Sequence, residues 1–322
     1  MLTKNLKLEN FKEKKESPKI KIELQKILNH KNEIIRSLGK NYKIKYSKKF
    51  ISKFNKIKEF CIIGMGGSIL GSKAIYNFLN HKIRKKFIFI DNLRNEKIKN
   101  KTKKKKLNLI ISKSGNTLET ITNANILINK NDKNLFITEN KDSYLMKLAK
   151  KLKAEIVHHN DYIGGRYSVL SEVGMLPAEL MGLKQSKFKK FNSLIKNKSF
   201  LKSLVINVSN TLNFTKKNKF NSIILNYDER SSDLFYWYQQ LIAESLGKKQ
   251  KGILPIVSLM PRDNHSLMQL YLDGFKNNFF TFFFVEETSG NKINNLNLLN
   301  SHFYLKGKSS NNILESQYDA TK

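Results

Sequence analysis

Residues 107–120 read LNLIISKSGNTLET, and the way this stretch is read decides the fold. Leu107, Leu109, Ile110 and Ile111 form an apolar run that stops at Ser112. Six small or polar residues follow, Ser112-Lys113-Ser114-Gly115-Asn116-Thr117, before a helical pattern opens at Leu118. A near-continuous apolar run of strand length marks a strand buried on both faces, as in a parallel sheet covered by helices. The turn that leads from such a strand into the next helix lies at the strand's carboxyl end, where α/β proteins bind their ligands. A helix N-terminus presents unpaired backbone N–H groups and the positive end of a dipole, and three hydroxyls add short side-chain donors. The loop therefore suits an anion such as phosphate. A plain helix cap is the other reading, because Ser and Thr are favoured at that position anyway.

The same unit recurs on both sides. Strand-like runs stand at FCIIG (60–64), FIFID (87–91), NLFIT (134–138) and AEIVH (154–158). Helical stretches such as SILGSKAIYNFLN, TLETITNANILINK and SYLMKLAKKL separate them. This alternation predicts an α/β fold with a doubly wound parallel sheet and helices on both faces. A shorter alternation follows: NSIILNY (221–227), a helix near 231–246, ILPIVSL (253–259), a helix near 265–275, and FFTFFFVE (279–286). Residues 1–55 are charged with intermittent apolar positions, and read as helices packed on the body. The expected organisation is an N-terminal helical extension over 1–55, a first α/β domain over 56–185 and a second over 186–322. A linker is expected somewhere in 186–215.

Sixty Lys and Arg against 26 Asp and Glu give the 322-residue chain a formal charge of +34. Such a charge raises the prospect of nucleic acid or an anionic membrane as a partner. Lysine is spread along the whole chain beside abundant Asn and Ile, however, and the densest run, Lys103 to Lys106, reads as a solvated loop before a strand. Neither nucleic acid nor membrane is expected as a partner. An anionic small molecule would still benefit from the positive field. The lone Cys61 lies in an apolar run and allows no disulfide framework. The stretch MLTKNLKLENFKEKKESPK lacks the apolar segment of a secretory signal, and no run approaches the roughly 20 apolar residues of a membrane span. A soluble cytoplasmic protein is expected.

Four further motifs bear on chemistry. GMGGSILGSK (64–73) follows the first strand, but Ile69 stands where a dinucleotide fingerprint needs its third glycine, and Ser72-Lys73 reverses the P-loop order. What remains is a glycine turn around Gly67 and Ser68 that lets backbone approach a ligand. Neither this loop nor Ser112–Thr117 has a metal-binding carboxylate beside it, which favours a sugar phosphate over a nucleotide carrying Mg²⁺. In DYIGGRYSVLSEVGMLPAELMGL (161–183), paired glycines precede Arg166. That arginine is either exposed on a turn or aimed at an oxyanion. In SSDLFYWYQQLIAESLGKK (231–249), Gln240 and Glu244 lie at the margin of the face formed by Leu234, Trp237, Tyr238, Leu241 and Ser245. Glu244 suits a general base beside an apolar stripe, or a surface glutamate paired with Lys248. In MPRDNHSLMQLYLDG (260–274), Asp263 and Asn264 read as caps of a helix that His265 begins, with His265 either furniture of the first turn or a proton donor. No His/Cys cluster suggests a metal, and no cofactor is expected.

Taken together, GMGGSILG, ISKSGNTLET, DYIGGRYSVLSEVG, YQQLIAESLGK and DNHSLMQLYLDG resemble the successive motifs of the glucose-6-phosphate isomerase family, in that family's order, over about residues 60–275. The chain departs from the pattern at Glu172, where the family prefers a small residue. The resemblance implies two sugar-isomerase (SIS) domains, a homodimer with shared active sites, and interconversion of glucose 6-phosphate and fructose 6-phosphate through a cis-enediol. By the same resemblance Ser112, Lys113, Ser114 and Thr117 bind the sugar phosphate, with Gly67 and Ser68 nearby. Glu244 corresponds to the base that moves a proton between C2 and C1, Arg166 to the arginine that stabilises the enediolate, and Gln240 to a substrate contact. His265 corresponds to the ring-opening histidine, which serves the partner's site. The family closes with a helix bearing a further lysine, whereas NNILESQYDATK resembles an interior segment, so a truncated sequence is expected. Two alternatives are a non-catalytic SIS sensor of sugar phosphates, and a bifunctional isomerase that also accepts mannose 6-phosphate.

Overall fold

The computed structural model describes residues 5–9, 16–30, 32–93, 106–129, 132–287 and 290–322. Of the lysine run at 103–106, only Lys106 falls among them. The first helices are α1 (Pro18–Asn29), α2 (Glu33–Ser37) and α3 (Lys48–Ser52). They confirm the helical reading of the N-terminal stretch, with Asn32 and Ser47 capping α2 and α3 through their side chains.

Five strands follow: β1 (Glu59–Gly64), β2 (Lys86–Ile90), β3 (Lys106–Ile111), β4 (Lys133–Glu139) and β5 (Glu155–His159). They form one sheet in the order β2-β1-β3-β4-β5, with every pairing parallel. Helices α4 (Leu70–Phe78), α5 (Leu118–Leu127), α6 (Tyr144–Lys151) and α7 (Glu172–Leu180) accompany them. Strand periodicity decides which side chains meet which layer. Leu107, Leu109 and Ile111 join Phe60, Ile62, Leu135 and Ile137 on the face covered by α7 and Phe54. Ile110 joins Ile63 and Phe136 on the face covered by Ala124 and Leu127 of α5 and Leu145 and Ala149 of α6. Both faces are covered, as the continuous apolar run of β3 predicts. The chain runs outward from β1 to β2 and then returns to β3, so the winding direction reverses between β1 and β3. That crevice is where a doubly wound sheet binds its ligand.

The stretch expected to carry a linker holds α8 (Phe191–Leu194) and the 19-residue α9 (Lys198–Lys216). Asn197 caps α9 by accepting from the Phe200 amide. The second sheet is β7-β6-β8, again all parallel, with β6 (Asn221–Asn226) central between β7 (Leu254–Leu259) and β8 (Asn278–Phe283). Helix α10 (Ser232–Leu246) packs on β7 and also against α4 of the first unit, which joins the two sheets. The helix expected near 265–275 is two short ones, α11 (Arg262–Ser266) and α12 (Met268–Asp273). Finally α13 (Ser310–Thr321) lays Tyr318 against Tyr227 and Phe284, with centroid distances of 5.4 and 4.8 Å. Among the described residues no helix is long and apolar enough to cross a membrane.

Candidate active site

Gly64 and Ile111 are register partners at the ends of β1 and β3, so the loops that follow them leave the sheet side by side. The first loop makes a single 3₁₀ turn over Gly66–Ser68. The second is Ser112–Thr117. Its hydroxyls are prearranged: Ser112 Oγ lies 2.8 Å from Thr117 Oγ1 and accepts the Gly115 amide at 3.2 Å, while Ser114 Oγ accepts the Asn116 amide at 3.2 Å. Gly115 has φ +67°, and a Cβ there would fall 2.2 Å from Ser143 Oγ, so only glycine fits this bend. Thr117 occupies the N-cap of α5, yet its side chain makes no capping hydrogen bond. The hydroxyl turns instead to Ser112, which leaves the first-turn amides of α5 without that cap. The plain-cap reading of this loop therefore does not describe its geometry.

The third loop crosses over the first. Gly67 and Gly165 approach so closely that a Cβ on Gly67 would lie 2.3 Å from the Gly165 carbonyl carbon. Ser168 ties the contact by bonding both Gly165 O at 2.7 Å and Gly67 O at 3.2 Å. This crossing sets Arg166 above the crevice. Its Nη1 donates to Glu244 Oε1 at 2.6 Å and its Nε to Ser245 Oγ at 2.9 Å. Gln240 completes the group by donating from Nε2 to Glu244 Oε2 at 3.2 Å. Gln240 and Glu244 share a face of α10 through their i, i+4 spacing. Glu244 thus pairs with Arg166, 78 residues away in sequence, and its side chain is 51% exposed. It is neither walled in by apolar neighbours nor paired with Lys248, the two local readings of its helix.

Charge in this cluster is well defined. Burial would lower Arg166, but Tyr167 and Glu244 outweigh that and keep the guanidinium firmly protonated. The Tyr167 phenol is held below its ordinary value, chiefly by its hydrogen bond with Ser245 and then by Arg166. Sequence reasoning offers neither Tyr167 nor Ser245 as a site residue. Each sits one residue after a candidate, Arg166 and Glu244, and that adjacency is the signal available.

Two other residues differ from expectation. His265 lies exposed in the last turn of α11, inside the helix it was expected to begin, and Asp263 is the structural member there. Asp263 accepts from Leu259 N at 2.8 Å, Ser258 Oγ at 3.0 Å and Ser266 Oγ at 3.2 Å. Among the described residues no hydrogen bond or ion pair joins His265 to the Arg166–Glu244 cluster. Glu172, which departs from the motif, is fully buried and accepts from Tyr42 Oη and the Lys45 amide, both at 2.9 Å. It fastens the N-terminal helical region to the start of α7. Among the described residues no group of three or more His, Cys, Asp or Glu is placed to hold a metal ion.

A family model described as phosphoglucose isomerase matches residues 19–254. The chain belongs to the phosphoglucose isomerase family. It is 37% identical over 245 residues to a glucose-6-phosphate isomerase of Methanocaldococcus jannaschii, a match covering 71% of this chain and 60% of that protein. With the enzyme of Campylobacter jejuni it shares 33% identity over 307 residues, 85% of this chain and 72% of the relative. Measured against the archaeal relative, the chain thus spans three fifths of its length. Among solved structures, a hypothetical protein of Thermus thermophilus superposes with a TM-score of 0.73 at 23% identity, over 95% of this chain and 76% of that one. A glucose-6-phosphate isomerase of Chlamydia trachomatis gives 0.61 at 22% identity, over 89% of this chain and 58% of that one. Both likenesses show a shared fold.

Proposed function

We propose that this phosphoglucose isomerase family member interconverts glucose 6-phosphate and fructose 6-phosphate through a cis-enediol. The observation that carries the reading is the 2.6 Å pair between Arg166 and Glu244, formed across the two units above two adjacent strand-end loops. An aldose–ketose exchange needs an anchored anion, a base that can move one proton between neighbouring carbons, and a cation for the charge that develops on oxygen. The hydroxyls of Ser112, Ser114 and Thr117, with the Gly67–Ser68 turn beside them, supply the anchor for the 6-phosphate. Glu244 takes the proton from C2 and delivers it to C1. Arg166 meets the enediolate oxygen and, through its 2.6 Å hydrogen bond, holds the Glu244 carboxyl in place. Gln240 orients the sugar hydroxyls. His265 is assigned to ring opening in the site of a second subunit, which makes a homodimer with shared active sites the working assembly, in the cytoplasm.

The test is isomerisation in a coupled assay together with exchange of the C2 hydrogen with solvent. Both should be present, and both should be lost together when Glu244 is replaced by Gln. A folded protein that binds sugar phosphate yet performs neither would support a sensor in its place.

A further inference from the structure

Lys113 sits in the middle of the hydroxyl loop, where its charge invites the role of phosphate ligand. Its ammonium is already engaged elsewhere. Nζ donates to the Asp161 carbonyl at 2.6 Å and lies 3.3 Å from Glu139 Oε1. Glu139 ends β4, its side chain is 9% exposed, and it also pairs with Lys141 at 2.9 Å. Burial would raise the Glu139 carboxyl, but hydrogen bonds from Lys141 and Lys113 prevail and keep it ionised below the usual carboxylate range. The backbone of Lys113 is held by the same strand end, for its carbonyl accepts from Glu139 N at 3.1 Å and from Thr138 Oγ1 at 3.3 Å. One residue therefore spans the carboxyl ends of three strands, from the β3 loop over β4 to the segment after β5.

That segment leads straight to the arginine. Asp161 stands five positions before Arg166, and between them Ile163 is tied to the end of β5: Ile163 N donates to Asn160 O at 3.2 Å, and Ile163 O bonds His159 Nε2 at 3.0 Å. The Lys113 contact thus holds the start of the segment that leads into the Gly164-Gly165-Arg166 turn. We propose that Lys113 is a positioning residue whose ammonium ties the arginine loop to the hydroxyl loop and sets the distance between anchored phosphate and Arg166, rather than a ligand of the phosphate. The proposal rests on the isomerase reading for its effect on turnover, but the tie itself can be measured without turnover.

The experiment compares the unmodified protein with Lys113→Met, which keeps the length of the side chain, and Lys113→Arg, which can restore both contacts. Three quantities are read: kcat and KM, the Kd for inorganic phosphate, and amide hydrogen exchange over residues 161–167. Misplacing a reacting group by about 1 Å costs up to about a hundredfold, so Lys113→Met should lower kcat by at least about tenfold. Phosphate should bind within about twofold of the unmodified protein, since the hydroxyl donors remain. Exchange over 161–167 should accelerate, and Lys113→Arg should reverse both losses. Phosphate binding weakened by about tenfold or more in Lys113→Met would overturn the proposal and return the ammonium to the anion site. Unchanged exchange over 161–167 would overturn it equally. If the unmodified protein performed no isomerisation, the isomerase reading would fail, and the exchange measurement would still decide whether the tie exists.

Discussion

The crossing of Gly67 over Gly165 gives a prediction in which two similar substitutions should behave very differently. A methyl group on Gly67 would meet Gly165 C at 2.3 Å, Gly165 O at 2.4 Å and Arg166 N at 2.7 Å, all of them backbone atoms. Ordinary contacts begin near 3.4 Å, so the arginine loop must retreat by about 1 Å to accept it. A retreat of that size separates Arg166 from Glu244 and from any bound sugar, and misplacement by about 1 Å costs about a hundredfold in turnover. The stability cost should be about 1–3 kcal/mol, typical of an overpacked site. A methyl on Gly165 points the other way and would meet Gly67 Cα at 3.9 Å, an ordinary contact. Gly67→Ala should therefore lose most kcat while remaining folded, and Gly165→Ala should keep kcat close to that of the unmodified protein. Steady-state kinetics, with thermal unfolding as the check on folding, decides the matter. Equal losses in both variants, or full activity in Gly67→Ala, would refute the steric account of how Arg166 is placed.

Glu244→Gln keeps shape and hydrogen bonding but removes the base, so kcat should fall by about 10²–10⁴-fold, with exchange of the C2 hydrogen falling in parallel. Retained exchange would assign the proton to another group. Thr117→Ala removes a hydroxyl that meets Ser112 at 2.8 Å, and KM for sugar phosphate should rise by the equivalent of about 1.5–3 kcal/mol, the worth of one hydrogen bond to a charged group. An unchanged KM and unchanged inhibition by other sugar phosphates would remove Thr117 from the anchor. For Glu172, burial would raise the carboxyl, yet His159, the start of α7, the Lys45 amide and Tyr42 together hold it below its ordinary value. A carboxyl depressed by folding adds stability that is present above its unfolded pKa, about 4.3, and is lost as pH falls through the folded value. Glu172→Gln should thus unfold more easily at neutral pH and show a shallower loss of stability on acidification, read from denaturant midpoints between neutrality and mild acid.

Much of this architecture is legible in short stretches. The apolar run at 107–111 announces a strand covered on both faces, and the hydroxyl loop that ends it marks the candidate anion site, because strand burial and helix-end chemistry are local properties. The partner of Glu244 is not local. A helix supplies candidates four residues away, such as Lys248, but the guanidinium that pairs with it comes from a loop 78 residues earlier and arrives only through the packing of α10 on α4. The contacts of Lys113 are non-local too. Its position in the loop suggests a ligand, while the direction of its side chain depends on Glu139 and Asp161, which the sheet order brings to the same edge. Glu172 looks like drift because its partners Tyr42 and Lys45 lie far upstream, at separations of 130 and 127 positions. The short helix Arg262–Ser266 shows the limit of capping rules, since Asp263 accepts from Ser258, Leu259 and Ser266 at once and so serves the preceding strand end as much as the helix.

The seam between α4 and α10 also divides labour. On the first side lie the groups proposed to hold the phosphate, the hydroxyls of Ser112, Ser114 and Thr117, together with the arginine. On the other, along α10, lie Gln240 and the two residues that accept from the arginine, Glu244 and Ser245. The guanidinium reaches across, so its contacts with Glu244 and Ser245 depend on how the first unit packs against α10. Drift accumulated in either sheet can be tolerated by its own core and yet silence the site. A change far from the site, in the packing of α4 on α10, would then act on Arg166, Glu244 and Ser245 together.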